Sequence, residues 1–180
     1  MTMRLFTAVA FDDAAKAQIF ALAGTLQARG VTGVFTRREN LHLTLKFLGE
    51  VPSSRVDAVR AALTRAAEAF APFAIDAGRC GAFSSCGEKT VWLGFEGAEL
   101  PRLAAEVDGQ LAREGFAPET RPFVSHVTLA RRAACPEGAL SEPAPTFSCS
   151  VRAVTLFESR RDAGRLWYKP LFSAPLSGAR

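Results

Sequence analysis

The chain contains two histidines, and both lie in the same local pattern. His42 is followed two residues later by Thr44, and His126 is followed two residues later by Thr128. Apolar residues alternate with them in both segments, which predicts half-buried strands whose exposed faces carry the imidazole and the hydroxyl. Because a histidine titrates near neutral pH, two of them in one cleft can act as a base and an acid together. The pattern therefore predicts general acid–base chemistry.

This pair of groups suits displacement at phosphorus. One imidazole takes a proton from the attacking oxygen, and the other gives a proton to the leaving oxygen on the opposite side. The hydroxyls of Thr44 and Thr128 can hold the non-bridging oxygens, and a nearby arginine can offset their charge. A ribose oxygen that is protonated as it leaves needs no metal ion, so we expect neither a metal nor another cofactor. Four aromatic residues could stack on a base or belong to the core: Phe35, Phe83, Trp92 and Tyr168.

The residues alone allow two other roles for the histidines. A lone strand histidine is more often structural than catalytic, but the repeated pattern argues against that role. A zinc site would combine the two histidines with a cysteine. The cysteines show no C-x-x-C or other local ligand spacing: they are Cys80, Cys86, Cys135 and Cys149. Acid–base chemistry is favoured over both alternatives.

Strict alternation also predicts the directions of neighbouring side chains. On the first strand it places Lys46 on the face of His42 and Phe47 on the buried face. On the second strand it places Arg131 opposite His126, so a bulge or the end of the strand is needed to turn this arginine into the cleft.

Composition is that of a globular protein. The chain has 180 residues, of which 48% are apolar and 22% charged. This length and apolar content are sufficient for one domain with a sizeable core. No apolar run reaches the length of a membrane span. Asp12 and Asp13 interrupt the N-terminal apolar patch, so a cytoplasmic protein is expected. The net charge is +4, with eighteen arginines and four lysines, which favours a phosphate-bearing partner such as nucleic acid.

The order of predicted elements is β-α-β-β-α-β-β-α-β-β-β, which has too many adjacent strands for a uniformly parallel sheet. We predict an α+β fold with two antiparallel-rich sheets, flanking helices and a central cleft that carries both histidine strands. Residues 1–180 are expected to form a single bilobal domain. Within this pattern, the glycine-rich segment Gly78–Gly87 is predicted as a loop and Ser148–Glu158 as one long strand.

The two motifs and their flanks resemble a known family. His42–Leu45 and His126–Leu129 resemble the paired H-x-T-x motifs of the two-histidine (2H) phosphoesterases. Asn40–Glu50 is similar to the LigT-like bacterial and archaeal RNA 2′,3′-cyclic phosphodiesterases, formerly called 2′-5′ RNA ligases. Further segments fit the same pattern across nearly the whole chain: Arg4–Phe6, Val91–Gly94, Arg121–Phe123, Arg131 and Gly164 to Tyr168.

The resemblance implies hydrolysis of RNA 2′,3′-cyclic phosphates to 2′-phosphates without a metal. By this resemblance His126 activates water, His42 protonates the departing 3′ oxygen, and Arg131 binds phosphate beside Thr44 and Thr128. The implied substrates are RNA with cyclic phosphate ends or cyclic nucleotides, and a monomer without membrane attachment is expected. Three alternatives stay open: a non-catalytic module that binds RNA ends, a 2′-5′ RNA ligase, and an enzyme for small cyclic phosphates.

Overall fold

The computed structural model describes residues 1–85, 87–141 and 146–179, so Cys86 lies outside the described residues. Within them the chain forms three α-helices and nine strands. The helices are α1 (Asp13–Ala28), α2 (Val56–Glu68) and α3 (Glu99–Arg113). The strands are β1 (Thr2–Ala10), β2 (Thr32–Phe35), β3 (His42–Pro52), β4 (Phe73–Ser85), β5 (Glu88–Glu96), β6 (His126–Ala134), β7 (Ser148–Val151), β8 (Ala153–Asp162) and β9 (Arg165–Pro175). The predicted α+β class is confirmed.

Local sequence signals explain the helices. The Asp12 carboxylate caps α1 by accepting a hydrogen bond from the Ala15 amide at 2.8 Å. Gly30 follows the helix with a φ of +86°, a conformation that glycine adopts without strain. The buried residues of α1 recur at helical spacing, as the sequence predicts: Ala15, Ile19, Leu22, Ala23 and Leu26. Among the described residues, no helix is long and apolar enough to cross a membrane.

The strands form an antiparallel sheet made of two halves. One half has the order β7-β4-β5-β6 and the other β3-β1-β8-β9, while β2 pairs with β6. The halves meet where β3 pairs with β6, at Leu43 and Val127. The two predicted sheets are therefore the halves of one sheet, joined at the two histidine strands. Since α2 packs against α3 and α3 contacts β3, these helices cover one side of that junction.

The predicted loop at Gly78–Gly87 is wrong, because β4 continues to Ser85 and pairs with β5 from Asp76 to Ser85, with one irregularity between Ala77 and Cys80. Glycine is required at one point of this strand for packing. A Cβ atom at Gly81 would lie 2.3 Å from the ring of Trp92 on the neighbouring strand. The glycine therefore marks a close approach of an indole ring to the backbone, and not a break in the strand.

The predicted strand Ser148–Glu158 is also wrong in its extent, since it divides at Arg152 into β7 and β8. β7 pairs with β4 in one half of the sheet, and β8 pairs with β1 in the other. The Arg152 carbonyl accepts a hydrogen bond from the Leu176 amide at 2.8 Å, which satisfies the backbone at the crossing. Local alternation shows which side chains are buried but not which strand the segment joins.

Candidate active site

The two histidines lie at the junction of the two halves. His42 and His126 are the first residues of β3 and β6, and the following residues, Leu43 and Val127, are paired across the junction. Both of these apolar side chains are buried. The histidines and the threonines two residues after each of them therefore point to the opposite face, into a common cleft. The sequence pattern predicted this arrangement of two strands.

Each imidazole is oriented by a hydrogen bond from its Nδ1 atom to the backbone carbonyl two residues earlier in the chain. The Nδ1 atom of His42 lies 2.7 Å from the Asn40 carbonyl oxygen, and that of His126 lies 2.7 Å from the Val124 carbonyl oxygen. A carbonyl can only accept, so Nδ1 carries the proton and donates it. In the neutral ring the lone pair is then on Nε2. At His42, Nε2 lies 3.0 Å from Oγ1 of Thr44, whose hydroxyl donates to it.

Burial controls the protonation of the site. It lowers the pKa of both histidines, and the pKa of His42 falls to about 4. The hydrogen bonds from Nδ1 raise both pKa values, whereas the positive charge of Arg131 lowers both. A positive charge on His126 also lowers the pKa of His42. Both rings are therefore neutral at pH 7 in the free protein and present Nε2 as a proton acceptor.

Aromatic rings supply much of this burial. The ring centroids of Phe6 and Tyr168 lie 4.8 and 4.9 Å from that of His42. On the other side, those of Phe83 and Trp92 lie 5.0 and 6.4 Å from that of His126. The sequence suggested three of these rings as stacking or core residues and missed Phe6. Little in the sequence indicates that Phe6 belongs to the site, because Phe6 lies in an apolar run of β1 in which neighbouring residues on both faces are buried.

A bulge turns Arg131 into the cleft. Val91 and Trp92 are adjacent on β5 but pair with Ala130 and Thr128 on β6, so Leu129 is an extra residue. The extra residue reverses the alternation that follows it. Arg131 consequently lies on the histidine face and lines the cleft, which strict alternation did not allow.

A matching bulge in β3 makes two predicted directions wrong. Thr7 and Ala8 pair with Lys46 and Thr44, so Leu45 is the extra residue. Lys46 is only 6% exposed, whereas Phe47 is 63% exposed, and the ring of Phe47 lies 6.0 Å from that of Phe6 beside His42.

The buried Lys46 ammonium joins two parts of the chain. It donates to the Asp108 carboxylate of α3 and, at 2.7 Å, to the carbonyl oxygen of Ala117.

The two bulges occur at the same distance after each histidine, so Phe47 and Arg131 hold corresponding positions in the two halves. One half thus presents an aromatic ring where the other presents a cation.

The cleft opens into a cavity of about 630 Å³. His42, Thr128 and Arg131 line it, whereas Thr44 and His126 lie outside its lining. Further lining comes from the segment after β2 and from the hairpin between β8 and β9. The lining contains five arginines among the described residues: Arg37, Arg131, Arg132, Arg161 and Arg165. Within the described part of the chain, no three His, Cys, Asp or Glu side chains are grouped so as to hold a metal ion.

Comparison with known proteins decides the family. The model of the LigT-like phosphoesterases matches residues 9–92 and 96–168 of the chain. The chain belongs to this family. A LigT-like relative from Archaeoglobus fulgidus, named RNA 2′,3′-cyclic phosphodiesterase, is 38% identical over 72% of this chain and 72% of its own. A relative of the same name from Thermotoga maritima is 32% identical over 72% of this chain and 70% of its own.

Solved structures agree with this assignment. The crystal structure of Escherichia coli LigT complexed with 3′-AMP superposes with a TM-score of 0.80 at 29% identity, and the match covers 98% of this chain and 99% of LigT. The likeness therefore extends over both halves of the sheet and over the cleft between them. The resemblance of the two motifs to the LigT-like family is confirmed.

Proposed function

We propose that the protein is an RNA 2′,3′-cyclic phosphodiesterase, which opens terminal cyclic phosphates to 2′-phosphates. The observation that carries this proposal is the pairing of β3 with β6, which places two equivalent imidazoles on one face. Each is fixed by its Nδ1 hydrogen bond, so that Nε2 is the atom available for proton transfer. Membership in the LigT-like family supports the substrate class, since relatives carry that name.

In the proposed reaction a water oxygen attacks phosphorus while Nε2 of His126 accepts the water proton. The bond between phosphorus and O3′ breaks, and Nε2 of His42 gives a proton to O3′. The hydroxyls of Thr44 and Thr128 hold the non-bridging oxygens, and the guanidinium of Arg131 offsets the charge that develops on them. The product is a 2′-phosphate, and exchange with solvent restores both histidines. These steps require no metal ion.

The assignment of the acid to His42 places a condition on the substrate. The pKa of His42 is about 4 in the free protein, so at pH 7 this ring is almost entirely neutral. An anionic phosphate bound beside it opposes the charge of Arg131 and favours the protonated ring. The substrate itself thus raises the pKa of its acid, and His42 becomes competent only when the cleft is occupied.

The two motifs come from different halves of the sheet, so residues 1–180 are proposed to act as one domain. A monomer is sufficient, because one chain supplies both histidines, both threonines and Arg131. The reverse reaction, 2′-5′ ligation, uses the same groups, but water at high concentration favours hydrolysis. Cyclic mononucleotides present the same reacting atoms and serve as the simplest substrates.

The test compares His42→Ala and His126→Ala on a nucleoside 2′,3′-cyclic phosphate, with folding checked by circular dichroism. Each substitution is expected to reduce kcat by ~10²–10⁴-fold, the usual contribution of one general acid or base. Turnover should persist after dialysis against a chelator. A double variant with wild-type kcat would contradict the proposal, and so would a wild-type protein that binds the nucleotide without turnover.

A sulfur substrate separates the acid from the base. When sulfur replaces O3′, the leaving thiolate needs no proton, because a thiol has a pKa of about 8.5. On this substrate His42→Ala should recover most of its lost rate, whereas His126→Ala should not. Recovery in His126→Ala instead would exchange the two roles.

A further inference from the structure

The cavity is larger and more basic than one cyclic phosphate requires. At ~30 Å³ for each water molecule in the liquid, a volume of about 630 Å³ corresponds to roughly twenty waters. Five described arginines line it, together with one carboxylate, Glu88. Arg131 is the arginine whose charge lowers the pKa of both histidines. The charge of Arg37 lowers the pKa of Glu39, and the charges of Arg131 and Arg161 both lower the pKa of Tyr168 against the effect of its burial.

Arg37 and Arg161, which we call the outer arginines, belong to two different segments of the cavity lining. Arg37 follows β2, and Arg161 lies at the end of β8, just before the turn to β9. Two contacts join these segments. The side-chain amide of Asn40 donates to the Leu166 carbonyl at 3.0 Å, and the Arg165 guanidinium lies 2.8 Å from the Glu39 carboxylate.

Within the described part of the chain, the guanidinium groups of the outer arginines have no carboxylate partner. Arg37 and Arg161 are exposed and form no salt bridge with a described carboxylate, unlike Arg165. Like charges held in one cavity repel each other, and an anion that binds between them removes this repulsion. The planar guanidinium forms bidentate hydrogen bonds to phosphate oxygens. A further phosphate, separate from the one at the histidines, is the ligand that fits.

We propose that the outer arginines bind the phosphodiester upstream of the cyclic end, so that the enzyme selects RNA ends over cyclic mononucleotides. This inference rests on the proposed function, because the histidine site defines where the cyclic end lies. In this proposal Arg131 binds the reacting phosphate, and Arg37 and Arg161 bind the RNA chain that leads to it. They are specificity-determining residues and take no part in proton transfer.

The same chemistry has a second source, the 5′-phosphate of a mononucleotide. The test therefore compares four substrates that share one terminal nucleoside 2′,3′-cyclic phosphate. These are the nucleoside form with a 5′-hydroxyl, the form with a 5′-phosphate, a trinucleotide, and a trinucleotide with uncharged methylphosphonate linkages. Wild type should prefer the trinucleotide, and the methylphosphonate version should lose that preference. An equal preference for the 5′-phosphate form would reassign the site to a terminal phosphate and overturn the RNA-chain proposal.

The protein variants are Arg37→Ala, Arg161→Ala and their combination. Arg113→Ala is the matched control, since it removes an exposed arginine from α3, on the other side of the sheet. The double variant should reduce the ratio of kcat/KM for the trinucleotide to that for the 5′-hydroxyl nucleotide by about tenfold or more, equivalent to at least ~1.4 kcal/mol. The slope of log affinity against log salt should become shallower by ~0.7, since one phosphate of a single strand is no longer neutralised.

An equal fractional loss on both substrates, or the same loss in Arg113→Ala, would overturn the inference. Binding of the trinucleotide product that ends in a 2′-phosphate separates this result from a failure of the proposed function. The double variant should weaken that binding whether or not the protein turns substrate over. If the wild-type protein bound the product through the outer arginines but did not turn substrate over, the proposed hydrolysis would be refuted. The proposed phosphate subsite would still be supported.

Discussion

The burial of the histidines predicts an acidic optimum for kcat/KM. The active free enzyme carries one proton on the histidine pair, so its concentration is highest midway between the two apparent pKa values. The pKa of His42 is about 4, and the pKa of His126 is lowered from 6.5. The midpoint therefore lies below about pH 5.3. An enzyme with two solvated histidines would have its optimum near pH 6.5 instead.

The profile of kcat should be shifted in the opposite direction. It reports the enzyme–substrate complex, in which the bound phosphate raises the pKa of both rings. The optimum of kcat is therefore expected at a higher pH than that of kcat/KM. Arg131→Gln removes a charge that lowers both pKa values, so it should move the optimum of kcat/KM to higher pH in addition to reducing its height. Arg113→Gln, the control, should leave the optimum in place.

The assay is hydrolysis of a nucleoside 2′,3′-cyclic phosphate from pH 3.5 to 8.5 at constant ionic strength. Initial rates at low and saturating substrate give kcat/KM and kcat, and circular dichroism at each pH restricts the fit to folded protein. An optimum of kcat/KM at or above pH 6.5 would refute the argument from burial. A kcat optimum more acidic than that of kcat/KM would refute the role of the substrate in protonating His42.

Three further predictions follow from the contacts in the structure. Thr44→Val and Thr128→Val should each lower kcat/KM roughly ten- to a hundredfold, the effect of losing about 1.5–3 kcal/mol from a hydrogen bond to a charged group. Serine at either position should restore most of the lost activity. Full activity of both valine variants would exclude the hydroxyls as phosphate ligands. Lys46→Met should lower the free energy of unfolding in urea by ~2–3 kcal/mol, somewhat below the range for fully buried pairs, because the Asp108 side chain is 24% exposed; a loss below about 1 kcal/mol would show that the pair is unimportant. As pH falls, His42 is protonated near pH 6.5 in the unfolded chain but only near pH 4 in the folded protein. The free energy of unfolding of wild type should therefore decrease by about 3 kcal/mol across this range. An equal decrease in His42→Gln would show that His42 is not its cause.

Much of the fold follows from local sequence. α1 was predictable because its cap, its apolar spacing and the glycine after it all lie within about five turns of helix. The errors occurred where strand partners are distant in sequence. Gly81 belongs to β4 because it pairs with Trp92 of β5, whose ring leaves no room for a side chain. The break at Arg152 separates partners in different halves of the sheet. No local pattern contains that information.

The site divides in the same way. The sequence predicted acid–base chemistry, because only two histidines exist and each has a threonine at the same spacing in a strand. It also indicated LigT-like membership, which the comparisons confirm. The pairing of the strands decided the rest, since Leu45 and Leu129 bulge only against their neighbours β1 and β5. Each bulge reverses the alternation of side chains beyond it, which buries Lys46, exposes Phe47 and turns Arg131 into the cleft.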